Sequence, residues 1–223
     1  MIPVVLAAVV AARAPAYADV ESLNAHAFDL SGALDRDVAP TQRALEIAVG
    51  VGYTQGVGGA GSAGSLDDVA GPGGALEAQI GLRTSPRFSF GAYGTIARFQ
   101  AGDAMADGSR AHAATAGIQA VWHARPARSI DPWLSAGTGW RGLWLTPKDA
   151  AASSVHGLEL VRLQLGVDYR ITKAVSITPV VGASASMFLV EDVAMPSGFT
   201  ALHDHRLNLY GFTGLLGRFD LGG

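Results

Sequence analysis

The sequence contains no cysteine. Disulfide staples and thiolate metal sites are therefore excluded, and stability must come from packing and hydrogen bonds. Charge is scarce: 16% of residues are charged, against about 25% in soluble domains. The net charge of −3 leaves no basic footprint for nucleic acid. Long apolar runs are also missing. Hydrophobic residues make up 49% of the chain, yet no run reaches the roughly 18 residues that a membrane helix requires. Apolar surface on this scale without a spanning helix must be buried or offered to lipid in some other geometry. What the chain does have in quantity is glycine, 29 residues spread along its length.

The start of the chain reads as a targeting segment. Ile2 to Ala12 is almost wholly apolar, and Ala16-Tyr17-Ala18 supplies the small-x-small pattern of a signal-peptidase site. The competing reading, an anchoring or buried helix, suits it less well, because the run is short and ends at Pro15. Residues 1–18 are expected to be a signal peptide. Residues 19–43, which carry acids and Pro40 and show no two-residue period, are expected to form a periplasmic lead-in.

From Ala44 onward the chain alternates. Leu45, Ile47, Val49, Val51 and Tyr53 interleave with Glu46, Ala48, Gly50 and Gly52. Successive side chains of a strand point to opposite faces, so one face is apolar and the other small or charged. The pattern recurs at Leu76–Arg83, Ala114–Trp122, Leu134–Arg141, Val161–Tyr169 and Val175–Ala185. Phe88–Phe99 and Arg206–Phe219 complete a set of eight with a less clear phase. At eight to fourteen residues, these segments lie nearer the ~9–11 residues of a tilted membrane strand than the ~5–6 of a globular one. The charges share the face of the small residues, which is the polarity expected with lipid outside. The fold expected for residues 44–220 is all-β: an eight-stranded antiparallel up-and-down transmembrane β-barrel. Pro179 cannot donate to a ladder, so a bulge near one strand end is expected there.

Connections alternate between long and short. The long ones are Gln55–Gly73, Gly102–Gly108, Pro147–Val155 and Glu191–Asp204, and the short ones lie at Pro86, Pro126 and Lys173. Bacterial barrels place long loops outside and tight turns in the periplasm, which puts both termini on the periplasmic side. Aromatics near the expected strand ends read as interfacial girdles. Phe88, Phe90, Trp122, Trp133, Tyr169 and Phe219 fall at one end, and Tyr53, Phe99, Trp144 and Phe188 at the other.

The stretch Pro132-Trp133-Leu134-Ser135-Ala136-Gly137-Thr138-Gly139-Trp140 resembles a strand of the small OmpA/OmpX-like outer-membrane barrels. Leu215-Leu216-Gly217-Arg218-Phe219 resembles their closing strand, although Asp220–Gly223 follow the aromatic. The resemblance implies a Gram-negative outer membrane, contact with lipid and lipopolysaccharide, and handling by barrel-assembly machinery. No peptidoglycan-binding domain is expected after the last strand.

Motifs with catalytic or binding chemistry are weak. Gly56-Val57-Gly58-Gly59-Ala60-Gly61 fits G-x-G-x-x-G, but no helix is expected after it to hold a pyrophosphate. His203-Asp204-His205 offers two imidazoles and no third ligand in reach. The His-x-Ser pattern of lipid A deacylases is missing: His112, His123 and His156 are followed two residues later by Ala114, Arg125 and Leu158. Ser153 and Ser154 approach His156 without an evident acid to orient it. No catalytic, cofactor or metal site is expected. The informative residues are the inward charges. Strand direction groups them as Glu77 with Arg141 and Arg162 toward the outer side, and Glu46 with Arg83 and Asp168 toward the periplasm. An interior only wide enough for its side chains would be plugged by such ion pairs. The expected role is structural or surface-interacting, through the outer loops. A narrow channel for small or hydrophobic solutes and a lipid A-modifying enzyme are the alternatives. Any extracellular ligand would meet the outer loops.

Overall fold

A computed structural model describes residues 36–38, 43–60, 64–193, 198–202 and 206–222. The expected signal peptide, most of the lead-in and His203-Asp204-His205 lie outside the described residues. The elements are β1 Leu45–Gly58, α1 Leu66–Val69, β2 Ala70–Ser85, β3 Phe88–Ala101, β4 Arg110–His123, β5 Ile130–Thr146, β6 Ser153–Arg170, β7 Val175–Val193, β8 Phe199–Ala201 and β9 Leu207–Leu221. Each of β1 to β6 pairs antiparallel with the next, and β6 pairs with β7. The ring closes through β7–β9 and β9–β1. Among the described residues, β8 pairs only with the far end of β7, at Val190–Asp192. Eight strands thus make a closed barrel with no free edge, and β8 is a flap on its rim.

Alternation decides which way each strand faces. Ile118, Leu165, Val51 and Ile96 point outward and are 67%, 58%, 60% and 59% exposed, while Glu77 and Arg83 point inward and are 1% and 2% exposed. In water this arrangement would expose an apolar belt around the whole molecule, far beyond the patches that soluble monomers carry. With lipid outside, the belt is solvated and the backbone is satisfied within the ring. The barrel is therefore of the transmembrane type.

The ladders are irregular at several points, and two of them bear on the lumen. The ladders shift between Gly137 and Gly139 of β5 and between Glu159 and Val161 of β6. At this bulge Leu160 and Val161 both face out, and the phase of β6 reverses, turning Glu159 inward. Pro179 marks no bulge. It does lie near the short-turn end, as the fifth residue of β7, but it faces out and pairs in register with Leu215 of β9. The β6–β7 ladder lapses there between Gly166↔Val180 and Tyr169↔Ile177, because proline has no N–H to give. Across that lapse the Thr178 hydroxyl donates to Asp168 at 2.7 Å.

The four long connections all lie at one end of the barrel and the three short ones at the other. α1 lies in the first long connection, after the Gly56–Ala60 stretch, where no helix was expected. It is a single turn with Asp67 and Asp68 at its start, a sign that disfavours phosphate. Ser65 donates to Asp67 and holds that exposed carboxyl below its usual pKa. At the short-turn end, residues 36–38 dock on the β4–β5 turn. Val38 donates to the Ala127 carbonyl and Ser129 to the Arg36 carbonyl, both at 2.9 Å. Asp37 pairs with Arg128 at 3.3 Å.

Candidate functional site

The lumen is a stack of layers. At the long-loop end lies an apolar cap. α1 contributes Leu66 and Val69, which pack with Phe99, Leu143, Leu145, Phe188 and other buried residues. Phe99 and Phe188 are thus interior residues, 5% and 2% exposed, and not girdle aromatics. The lumen end needs filling, and large rings fill it. Tyr53, Phe88, Phe90, Trp122, Tyr169 and Phe219 do face outward.

Beneath the cap lies the first charge cluster. Arg162 pairs with Glu77 at 2.6 Å. Arg141 pairs with Glu159, the residue that the bulge turned inward, and not with Glu77. Glu159 also accepts from the Tyr93 hydroxyl. Each guanidinium lies over an aromatic ring, Arg141 on Tyr210 at 3.8 Å and Arg162 on Tyr93 at 4.3 Å. Two carboxylates face two guanidiniums, so the cluster is neutral without outside ions. A cavity of about 40 Å³ remains between these groups. It is lined by Thr115, Arg141, Arg162 and Tyr210, each with a buried polar atom that has no protein partner. Such a space suits bound water.

A glutamine layer follows. Gln79 donates to Glu77 at 2.6 Å, Gln119 donates to Gln79 at 2.9 Å, and Gln164 donates to Glu77 at 3.2 Å. Below it Trp133 packs with Val121, Val180 and Leu216. Trp133 had been expected in a girdle. It points inward instead, with its indole N–H donating to Asp168 at 2.8 Å. Gly166 makes this possible, because a Cβ there would lie 2.3 Å from the indole.

The second charge cluster closes the short-turn end. Arg83 donates to Glu46 at 2.5 Å and lies 3.8 Å from Asp220. Asp168 pairs with Arg218 at 3.4 Å rather than with Arg83. Asp131 takes Arg170 at 3.2 Å and the His123 Nδ1 at 2.8 Å. His123 is fully buried, with Nε2 3.4 Å from Arg218. Four carboxylates (Glu46, Asp131, Asp168, Asp220) therefore meet three arginines and one histidine. His123, Asp131 and Asp168 lie close enough to share a metal ion, but Arg170 and Arg218 already occupy both carboxylates.

The six charges singled out in the sequence all line the lumen. Glu77 and Arg162 are brought together, as are Glu46 and Arg83. Arg141 and Asp168 take partners that the sequence reading missed, namely Glu159 and Arg218. One further pair lies on the outside: Ser154 Oγ is 3.0 Å from His156 Nε2. The His156 ring stacks on Trp140 at 5.7 Å.

A closed eight-stranded barrel with an apolar belt and a polar lumen is the fold of small outer-membrane proteins. No family model matches the sequence, and no curated protein does. Among solved structures, the chain is similar to Neisserial surface protein A, with a TM-score of 0.52 and 15% identity over 78% of this chain and 96% of that one. It is also similar to OprG from Pseudomonas aeruginosa, with a TM-score of 0.49 and 8% identity over 81% and 98%. Ail of Yersinia pestis follows, with a TM-score of 0.40 and 12% identity over 80% and 99%.

Proposed function

We propose that this chain is a bacterial outer-membrane protein whose lumen is closed to solutes and whose working surfaces are its long loops and outer rim. The observation that carries this reading is the double closure of the lumen. The cap of Leu66, Val69, Phe99 and Phe188 fills one end, and the Glu46–Arg83 and Asp131–Asp168–Arg218 cluster fills the other. A solute would have to displace both. In this reading the short turns and both termini are periplasmic, the long loops are outside, and lipopolysaccharide surrounds the outer rim. β9 with Phe219 is the strand offered to the assembly machinery. Planar-bilayer recording tests the closure: the reconstituted chain should add no stable conductance steps. Reproducible steps would favour the narrow-channel alternative.

The Ser154–His156 pair supports a second reading, hydrolysis of a membrane lipid ester. Ser154 Oγ would attack the ester carbonyl while His156 takes its proton and passes it to the leaving alcohol. Water would then release the acid and restore the serine. Incubation with outer-membrane lipid and mass spectrometry decides the point. Acyl loss that disappears in Ser154→Ala would support hydrolysis, and unchanged lipid would dismiss it.

A further inference from the structure

The outer face of β1 to β5 carries a groove of about 740 Å³ near the long-loop end. Its apolar wall is Val51, Leu76 and Ile96, and its rim holds Arg98, His112 and Trp144. Tyr53, Gly74, Arg98, His112 and Trp144 are successive partners across five strands, so they form one row around the barrel. Gly74 leaves the row open, since a Cβ there would meet nothing within 4 Å. The His112 ring stacks on Trp144 at 5.6 Å and 9°, which fixes its position beside Arg98.

The charge distribution on this face has one sign. Among the described residues of β1 to β6, the outward-facing charged or imidazole side chains are Arg98, Arg110, His112 and His156. All four lie at the long-loop end, and no carboxylate faces outward on these strands. Arg98 is exposed and, among the described residues, has no carboxylate partner. A guanidinium at the edge of an apolar belt calls for an anion in a partly desolvated setting, where charge-assisted hydrogen bonds are strong. The groove below it is lined mainly by apolar side chains.

We propose that this groove docks a phosphorylated acyl lipid of the outer leaflet, with its phosphate on Arg98 and His112 and one chain along Val51, Leu76 and Ile96. This rests on the orientation given under Proposed function.

The test uses the full chain in mild detergent, titrated with monophosphoryl lipid A and with the same glycolipid after phosphate removal, bound lipid being counted by native mass spectrometry. Wild type should prefer the phosphorylated form by about ten-fold or more. Arg98→Ala should abolish that preference. Gly74→Leu, which fills the groove and leaves both charges, should weaken retention of both lipids. A heat-dependent shift on gels verifies that each variant is a closed barrel. Equal retention of the two lipids, or an unchanged Arg98→Ala, would overturn the proposal. Displacement by inorganic phosphate alone would also overturn it, by showing a free-anion site. An epitope tag at Gly64, read on intact cells, separates the orientation from the site. A tag reached only after permeabilisation overturns the outer-leaflet assignment. Equal retention of the two lipids by wild type, with the tag outside, overturns the lipid site alone.

Discussion

Replacing Glu159 with alanine is expected to lower the unfolding free energy of the barrel by about 3–5 kcal/mol. Glu159 is fully buried and accepts from both Arg141 and Tyr93. Its removal leaves the Arg141 guanidinium in the lumen, with Ser184 as a neutral neighbour at 2.9 Å. That buried charge then lacks a counter-charge, which is the costly half of breaking an internal ion pair. Removing both charges, as Glu159→Leu with Arg141→Leu, should recover most of the loss, because an apolar pair needs no partner. Urea titration in lipid vesicles, followed by tryptophan fluorescence, measures both variants. A single-variant loss below about 1 kcal/mol would mean that the cluster is solvated as a surface pair is, and the lumen would then be wet throughout.

Leu165→Arg is expected to cost about 2–4 kcal/mol. Leu165 faces outward from the middle of β6 and is 58% exposed, so an arginine there would sit in hydrocarbon. Its neighbour Gln164 faces the lumen and donates to Glu77. Gln164→Asn adds no charge to the balanced cluster, keeps an amide in the lumen and should cost less. The same titration compares the two, and equal costs would contradict the assignment of the faces of β6.

The strands were legible because period-two alternation is strong wherever lipid bounds one face. Leu163, Leu165 and Val167 could not be moved inward without turning Arg162, Gln164 and Asp168 into lipid. The phase was lost where a bulge intervened. Extending the β6 alternation back from Val161 puts Glu159 outside, and only the shifted ladder shows that it faces Arg141. The same limit hid Arg218 and Tyr93, which lie on the two strands of unclear phase. His123, Asp131 and Arg170 were missed because they stand at strand ends, where the sequence carries no period long enough to read. The girdle pattern misled for Trp133, Phe99 and Phe188. An aromatic near a strand end can face lipid or stop the lumen, and one residue of phase separates the two outcomes. The signal for Trp133 was Gly166, since a bulky ring needs a small neighbour. That pairing is invisible until β5 and β6 are set in register.

Spin-label scanning of β6 tests the central claim, that lipid surrounds this barrel and its polar side chains line the lumen. Because the chain has no cysteine, each single cysteine introduced at positions 158 to 167 carries the only label. Oxygen dissolved in the bilayer should broaden the signal at 158, 160, 161, 163, 165 and 167. It should spare 159, 162, 164 and 166, with the break in period at the 160–161 bulge. Oxygen access at 159, 162 and 164 with protection at 161, 163 and 165 would contradict the account.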